Sequence, residues 1–173
     1  MDEYDLRDRA QALRSAVLGA QSVTAAMTEW CAARGIGQVP LRSHVHLRAD
    51  AVDPLTEAAL LLRPHEPVFF RRITLMAGSV PLLDADNWFV PTRLPESAVA
   101  LLLETDTPFG TALAPGRQTR KTVRIFVPPG VGDLGRGAEE RPDVPLLTLR
   151  GVAELDGRPV SFVEERFHRD ALG

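Results

Sequence analysis

The chain has 173 residues, with 45% apolar and 25% charged side chains and a net charge of −3. That composition excludes intrinsic disorder, collagen and coiled coil, and the length suits one α+β domain. A basic stripe for nucleic acid is missing, and the apolar runs are too short to span a bilayer.

The acidic start, Met1-Asp2-Glu3-Tyr4-Asp5, has no apolar stretch behind it. We therefore expect no secretory leader and a cytoplasmic location. Cys31 is the sole cysteine, which rules out an internal disulfide and suits a reducing compartment. Nearly all the basic residues are arginine, Lys121 being the single lysine.

In chain order, residues 3–18 carry Leu6, Leu13 and Val17 at helical spacing. Residues 25–33 form a second predicted helix, with Ser22 as N-cap and Gly35 just past its end. Residues 39–47 alternate strictly. Val39, Leu41, Val45 and Leu47 define one face of a strand, and Arg42, His44, His46 and Arg48 the other. Asp53-Pro54 opens a short helix through Leu62.

Residues 68–76 and 80–90 read as strands joined at Gly78-Ser79. Residues 96–103 read as a helix, and 107–113 as a shorter one. Residues 122–127 form a strand, and 128–145, rich in Pro, Gly and charge, form a long surface loop. The strands 146–155 and 159–167 meet at Asp156-Gly157, a strong hairpin signal. Strands joined by short turns, with helices early and mid-chain, predict an antiparallel sheet with helices packed on it.

Two charged residues interrupt apolar faces. Arg71 shares its face with Phe69, Ile73 and Leu75. Such a cation either meets an anionic partner, an internal carboxylate or a ligand, or snorkels out at the strand start. Glu164 is expected on a face with Val160 and Phe162, with Arg166 following on that face. There it is either a partner of Arg71 or Arg166, or a proton-transfer group.

The His44/His46 pair lies among arginines, which argues against a metal site, and Asp84 and Asp86 read as a solvent-facing edge. Gly130-x-Gly132-x-x-Gly135 lacks the strand-turn-helix context of a dinucleotide loop. No nucleophile elbow, zincin or P-loop pattern is present.

Four patches between about Gln21 and Phe167 occur in an order that resembles chorismate pyruvate-lyases, whose fold includes the UTRA effector-binding domains. They are Gln21-Ser22-Val23-Thr24; Phe70-Arg71-Arg72-Ile73-x-Leu75 with Pro81 and Val90-Pro91; Thr107-Pro108-Phe109-Gly110 with Thr119-Arg120; and Asp156-Gly157-Arg158-Pro159 with Glu164. Val23 and Phe109 replace the family's Met and Leu, and Asn87 stands where some lyases carry Arg.

The resemblance implies a cofactor-free and metal-free carbon–oxygen lyase. It would convert chorismate to 4-hydroxybenzoate and pyruvate, as in ubiquinone biosynthesis. Arg71 would clamp the ring carboxylate, and Glu164 would orient the substrate or transfer a proton. Val23, Phe109 and Gly110 would complete the substrate pocket. The alternatives it implies are a non-enzymatic effector domain of the UTRA type, or a paralogue acting on another enolpyruvyl or aromatic acid. In each case the partner is a small carboxylate, not nucleic acid or membrane.

Overall fold

The computed structural model describes residues 3–113, 118–127 and 144–173. Six antiparallel strands form one sheet: β1 (Arg42–Ala49), β2 (Phe69–Ala77), β3 (Val80–Phe89), β4 (Gln118–Phe126), β5 (Leu147–Leu155) and β6 (Arg158–Phe167). Their spatial order is β1-β2-β3-β6-β5-β4. Among the described residues five α-helices accompany them: α1 (Glu3–Gly19), α2 (Val23–Arg34), α3 (Pro54–Leu60), α4 (Glu96–Glu104) and α5 (Phe109–Ala112). The α+β antiparallel architecture is the expected one. Most of the expected loop at 128–145 lies outside the described residues.

Local chemistry sets the element ends. The Ser22 hydroxyl accepts from the Ala25 N–H, and Gly35 closes α2 at φ 65°. Asp53 accepts from the Leu55 and Thr56 N–H groups and from the Thr56 hydroxyl, with Pro54 starting α3. At the β5–β6 hairpin, Asp156 and Gly157 take φ values of 50° and 77°. Leu155 pairs directly with Arg158, so the loop is two residues long.

Each face of the sheet is covered in part. On the inner face, Leu13, Val17, Met27 and Trp30 of α1 and α2 pack on Ile73, Leu75, Leu83, Leu149 and Phe167. The Trp30 indole N–H donates to the Ala171 carbonyl at 2.8 Å and ties α2 to the C-terminal turn. Farther along that face, Ala98, Leu113 and Val160 form a second cluster, with Phe109 against them. On the outer face, Leu60 of α3 packs with Val68, Val90, Val152 and Phe162. Among the described residues no helix is long and apolar enough to cross a membrane.

Bulges correct two expected faces. In β1, Val45 pairs with Ile73 but Leu47 pairs with Arg72, which leaves His46 as the inserted residue. Beyond that point the phase of β1 reverses. Leu47 is turned outward and 46% exposed, and Arg48 stands opposite Arg71. Val39 precedes the strand, which starts at Arg42, so with the bulge the expected run of strict alternation from 39 to 47 is not realised.

In β6, Pro159 pairs with Glu154 and Ser161 with Ala153, which makes Val160 the inserted residue. Counting by twos from Val160 crosses that bulge. The residues that face the helices with Arg71 are therefore Ser161, Val163 and Glu165. Glu164 pairs with Asp86 and Arg150 and belongs to the outer face.

Candidate functional site

The inner face has a seam where the α1–α2 layer ends and the α4–α5 layer begins. One cross-strand row runs beneath it: Arg48, Arg71, Asn87, Val163, Gly151 and Thr122. The first turn of α2, at Ser22, Val23 and Thr24, meets Pro108, Phe109 and Gly110 above that row. Gly110 is required for this approach. A Cβ there would collide with the Ser22 hydroxyl and stand 2.7 Å from the Thr24 hydroxyl.

Two adjoining cavities of about 60 and 40 Å³ lie in the seam, sharing Val23, Thr24, Asn87, Phe109, Val163 and Glu165 as walls. As they stand, they have room for only a few waters. An open groove of about 690 Å³ between α1 and α2 is larger. It lacks a buried charged group, so the seam is the better candidate for specific chemistry.

Arg71 lines the seam and is only 3% exposed. It donates to the Thr107 carbonyl at 3.1 Å and the Thr105 carbonyl at 3.4 Å. Its Nε has no partner. Among the described residues it makes no ion pair. Burial, then the charge of Arg48, lowers its pKa to about 10, with Asp106 opposing.

The carbonyls it meets are held by a local turn. The Thr105 hydroxyl accepts from the Thr107 N–H at 3.1 Å and donates to the Leu101 carbonyl at 2.6 Å.

Glu165 is the buried acid of the seam, 8% exposed. Arg120 reaches it across Gly151 and donates at 2.6 Å. Gly151 leaves that passage open, since a Cβ there would stand 3.1 Å from the Arg120 Nε. Burial raises the Glu165 pKa, and Arg120 opposes the rise. Ser161 donates to the Asn87 side-chain oxygen at 3.0 Å, which fixes the amide at the cavity wall.

Of the expected site residues, Arg71, Val23, Phe109 and Gly110 come together at the seam. Glu164 does not. It lies across the sheet, held by Arg150 at 2.5 Å and Arg166 at 2.8 Å. Asp86 extends that outer network to Arg72 at 2.6 Å and Arg166 at 3.1 Å. Asp84 accepts from Thr74 at 2.6 Å and contacts His168 at 3.0 Å. His44 and His46 are exposed and meet edge to face, with centroids 4.8 Å apart. Among the described residues no group of three metal-ligating side chains forms.

Sequence reasoning assigned no role to Glu165, Arg120, Asn87 or Arg48. Arg120 and Asn87 stand inside or beside the patches that carry the family resemblance. Glu165 and Arg48 gave no signal, because each depends on a bulge.

The uncharacterized protein y4mC of Sinorhizobium fredii is 30% identical over 176 residues, spanning 94% of this chain and 74% of y4mC. The chain belongs to the y4mC family. No protein-family model matches it. Among solved structures, it is similar to the effector domain of PhnF from Mycobacterium smegmatis. That match has 15% identity, a TM-score of 0.55, and covers 86% of this chain and 88% of that one.

It is also similar to the ligand-binding domain of a protein assigned as a GntR-family transcriptional regulator from Bordetella bronchiseptica. Here identity is 21% and the TM-score 0.50, over 73% of this chain and 82% of that one. The y4mC-like chain thus has the chorismate lyase-like fold of the UTRA effector domains.

These neighbours, an effector domain and the ligand-binding domain of a transcriptional regulator, correct the expected carbon–oxygen lyase, and nothing in them supports a place in ubiquinone biosynthesis. The acid expected to work with Arg71 is on the far face of the sheet, already bound by two arginines.

Proposed function

We propose that this chain is a non-enzymatic effector-binding domain that takes a small anionic molecule in the seam, with Arg71 as the anchoring cation. The observation that carries this reading is a guanidinium 3% exposed, without an ion pair among the described residues and with an unpartnered Nε. A buried charge in that state is costly, and an anion that enters the seam relieves the cost. The first turn of α2 adds the positive end of a helix dipole beside it. Phe109, Val23 and Val163 supply apolar walls that keep water from competing.

The test is a thermal-shift titration of the purified chain with small carboxylates and phosphate esters, alongside a pyruvate-release assay on chorismate. A ligand at a hundred times its Kd adds about 2.7 kcal/mol. For a chain of this size that corresponds to a rise of roughly 5–10 °C in Tm. The expected outcome is such a rise for at least one anion, abolished in Arg71→Gln, and no pyruvate above background. Pyruvate release dependent on Arg71 overturns the non-enzymatic reading. A shift unchanged in Arg71→Gln overturns the anchor.

A further inference from the structure

Arg48 joins Arg71 because of the bulge at His46. Without that extra residue, Arg48 would follow His44 to the outer face. With it, Arg48 pairs directly with Arg71, so the two side chains rise on the same side of the sheet. Both reach one oxygen. Arg48 donates to the Thr105 carbonyl at 2.8 Å and Arg71 at 3.4 Å. Two donors on one acceptor lie within about 6 Å of each other.

Among the described residues neither arginine forms an ion pair. Asp106, the acid whose charge favours Arg71, is exposed and bonded to neither. Like charges placed side by side repel, and a neutral carbonyl offsets little of that. The Thr105 carbonyl oxygen therefore occupies the position that an anionic oxygen would fill better.

We infer that Arg48 and Arg71 form a two-arginine clamp for a doubly charged head group, a phosphate monoester or a dicarboxylate, with Arg48 setting preference for two charges over one. This inference rests on the anion-binding reading above and deepens it. The head group takes the place of the Thr105 carbonyl between the guanidiniums, with one fork on each side. Arg71, buried, anchors any anion. Arg48, exposed, adds affinity only where a second negative charge reaches it.

The experiment is calorimetric titration of the full chain at pH 8 with methyl phosphate, malonate and acetate, for wild type, Arg48→Gln, Arg48→Lys and Arg71→Gln. In wild type, methyl phosphate or malonate binds at least tenfold more tightly than acetate, and which of the two leads identifies the source of the dianion. Arg48→Gln removes that advantage and changes acetate binding less than threefold, and Arg48→Lys restores part of it. Arg71→Gln weakens all three probes.

If Arg71→Gln leaves all three unchanged, the anion site itself fails. If Arg71→Gln acts as expected but Arg48→Gln weakens dianions and acetate equally, or neither, the clamp alone is overturned. Arg71-dependent acetate binding with no dianion advantage in wild type also overturns the clamp and leaves the anion site standing. A folded Arg48→Gln, shown by an unchanged Tm, secures the comparison.

Discussion

Two arginines are buried among the described residues, and their surroundings are opposite. Arg93 lies at the α3 end of the sheet, and all of its nitrogens are engaged. It donates to the carbonyls of Leu60, Leu61 and Pro159 and forks onto both oxygens of Glu66. Arg71, in the seam, has two carbonyls, an idle Nε and a second arginine beside it. The first arrangement is complete within the protein and serves to lock α3 to β6. The second has no carboxylate partner among the described residues, which is the feature the proposed anion site rests on. A buried cation becomes informative about function when its partners are counted, and burial alone does not separate the two cases.

Breaking each arginine should sharpen that contrast. Arg93→Ala removes the forked partner of Glu66, leaving it Arg158 and the Arg63 N–H, and unpairs the Leu60, Leu61 and Pro159 carbonyls; it should cost about 3–5 kcal/mol, read as a lowered urea midpoint. A loss under 1 kcal/mol would place Arg93 with the weak surface pairs.

The same pair predicts an acid limb. The hydrogen bond from Arg93 holds the Glu66 pKa at about 2, against burial, which opposes it. A folded pKa below the unfolded value of about 4.3 means that stability is present above that value. It is lost as pH falls from about 4.3 toward 2. Denaturation followed across that window should show the loss in wild type and a flatter response in Arg93→Ala.

Gly110→Ala should cost about 1–3 kcal/mol, since its Cβ meets the α2 cap head-on. The same change should also weaken anion binding at the seam, read by the titrations above.

The smallest effect belongs to the outer face. Glu164→Gln should change stability by at most about 1 kcal/mol, because its partners Arg150 and Arg166 are partly solvated. It should leave anion affinity unaltered. A tenfold loss of affinity in that variant would reinstate Glu164 as a site residue and undo the assignment of faces.

Much of the architecture was legible because its causes are local. Ser22 and Asp53 cap helices through their own side chains, and Asp156-Gly157 makes a two-residue hairpin through its backbone preferences. Alternation through β2 put Arg71 among Phe69, Ile73 and Leu75, and no bulge interrupts β2 between those residues. Counting by twos failed in β1 and β6 for one shared reason. A bulge is an agreement between two strands about where an extra residue fits, and a single strand read alone carries no mark of it.

The sequence by itself therefore determined the elements, the antiparallel class and the presence of a cation on an apolar face. Only the tertiary structure decided that Glu165, not Glu164, shares that face, that Arg48 joins Arg71, and that no carboxylate among the described residues pairs with Arg71. The first two depend on bulges that set the register between paired strands. A shift of one residue sends a side chain through the sheet to the other side.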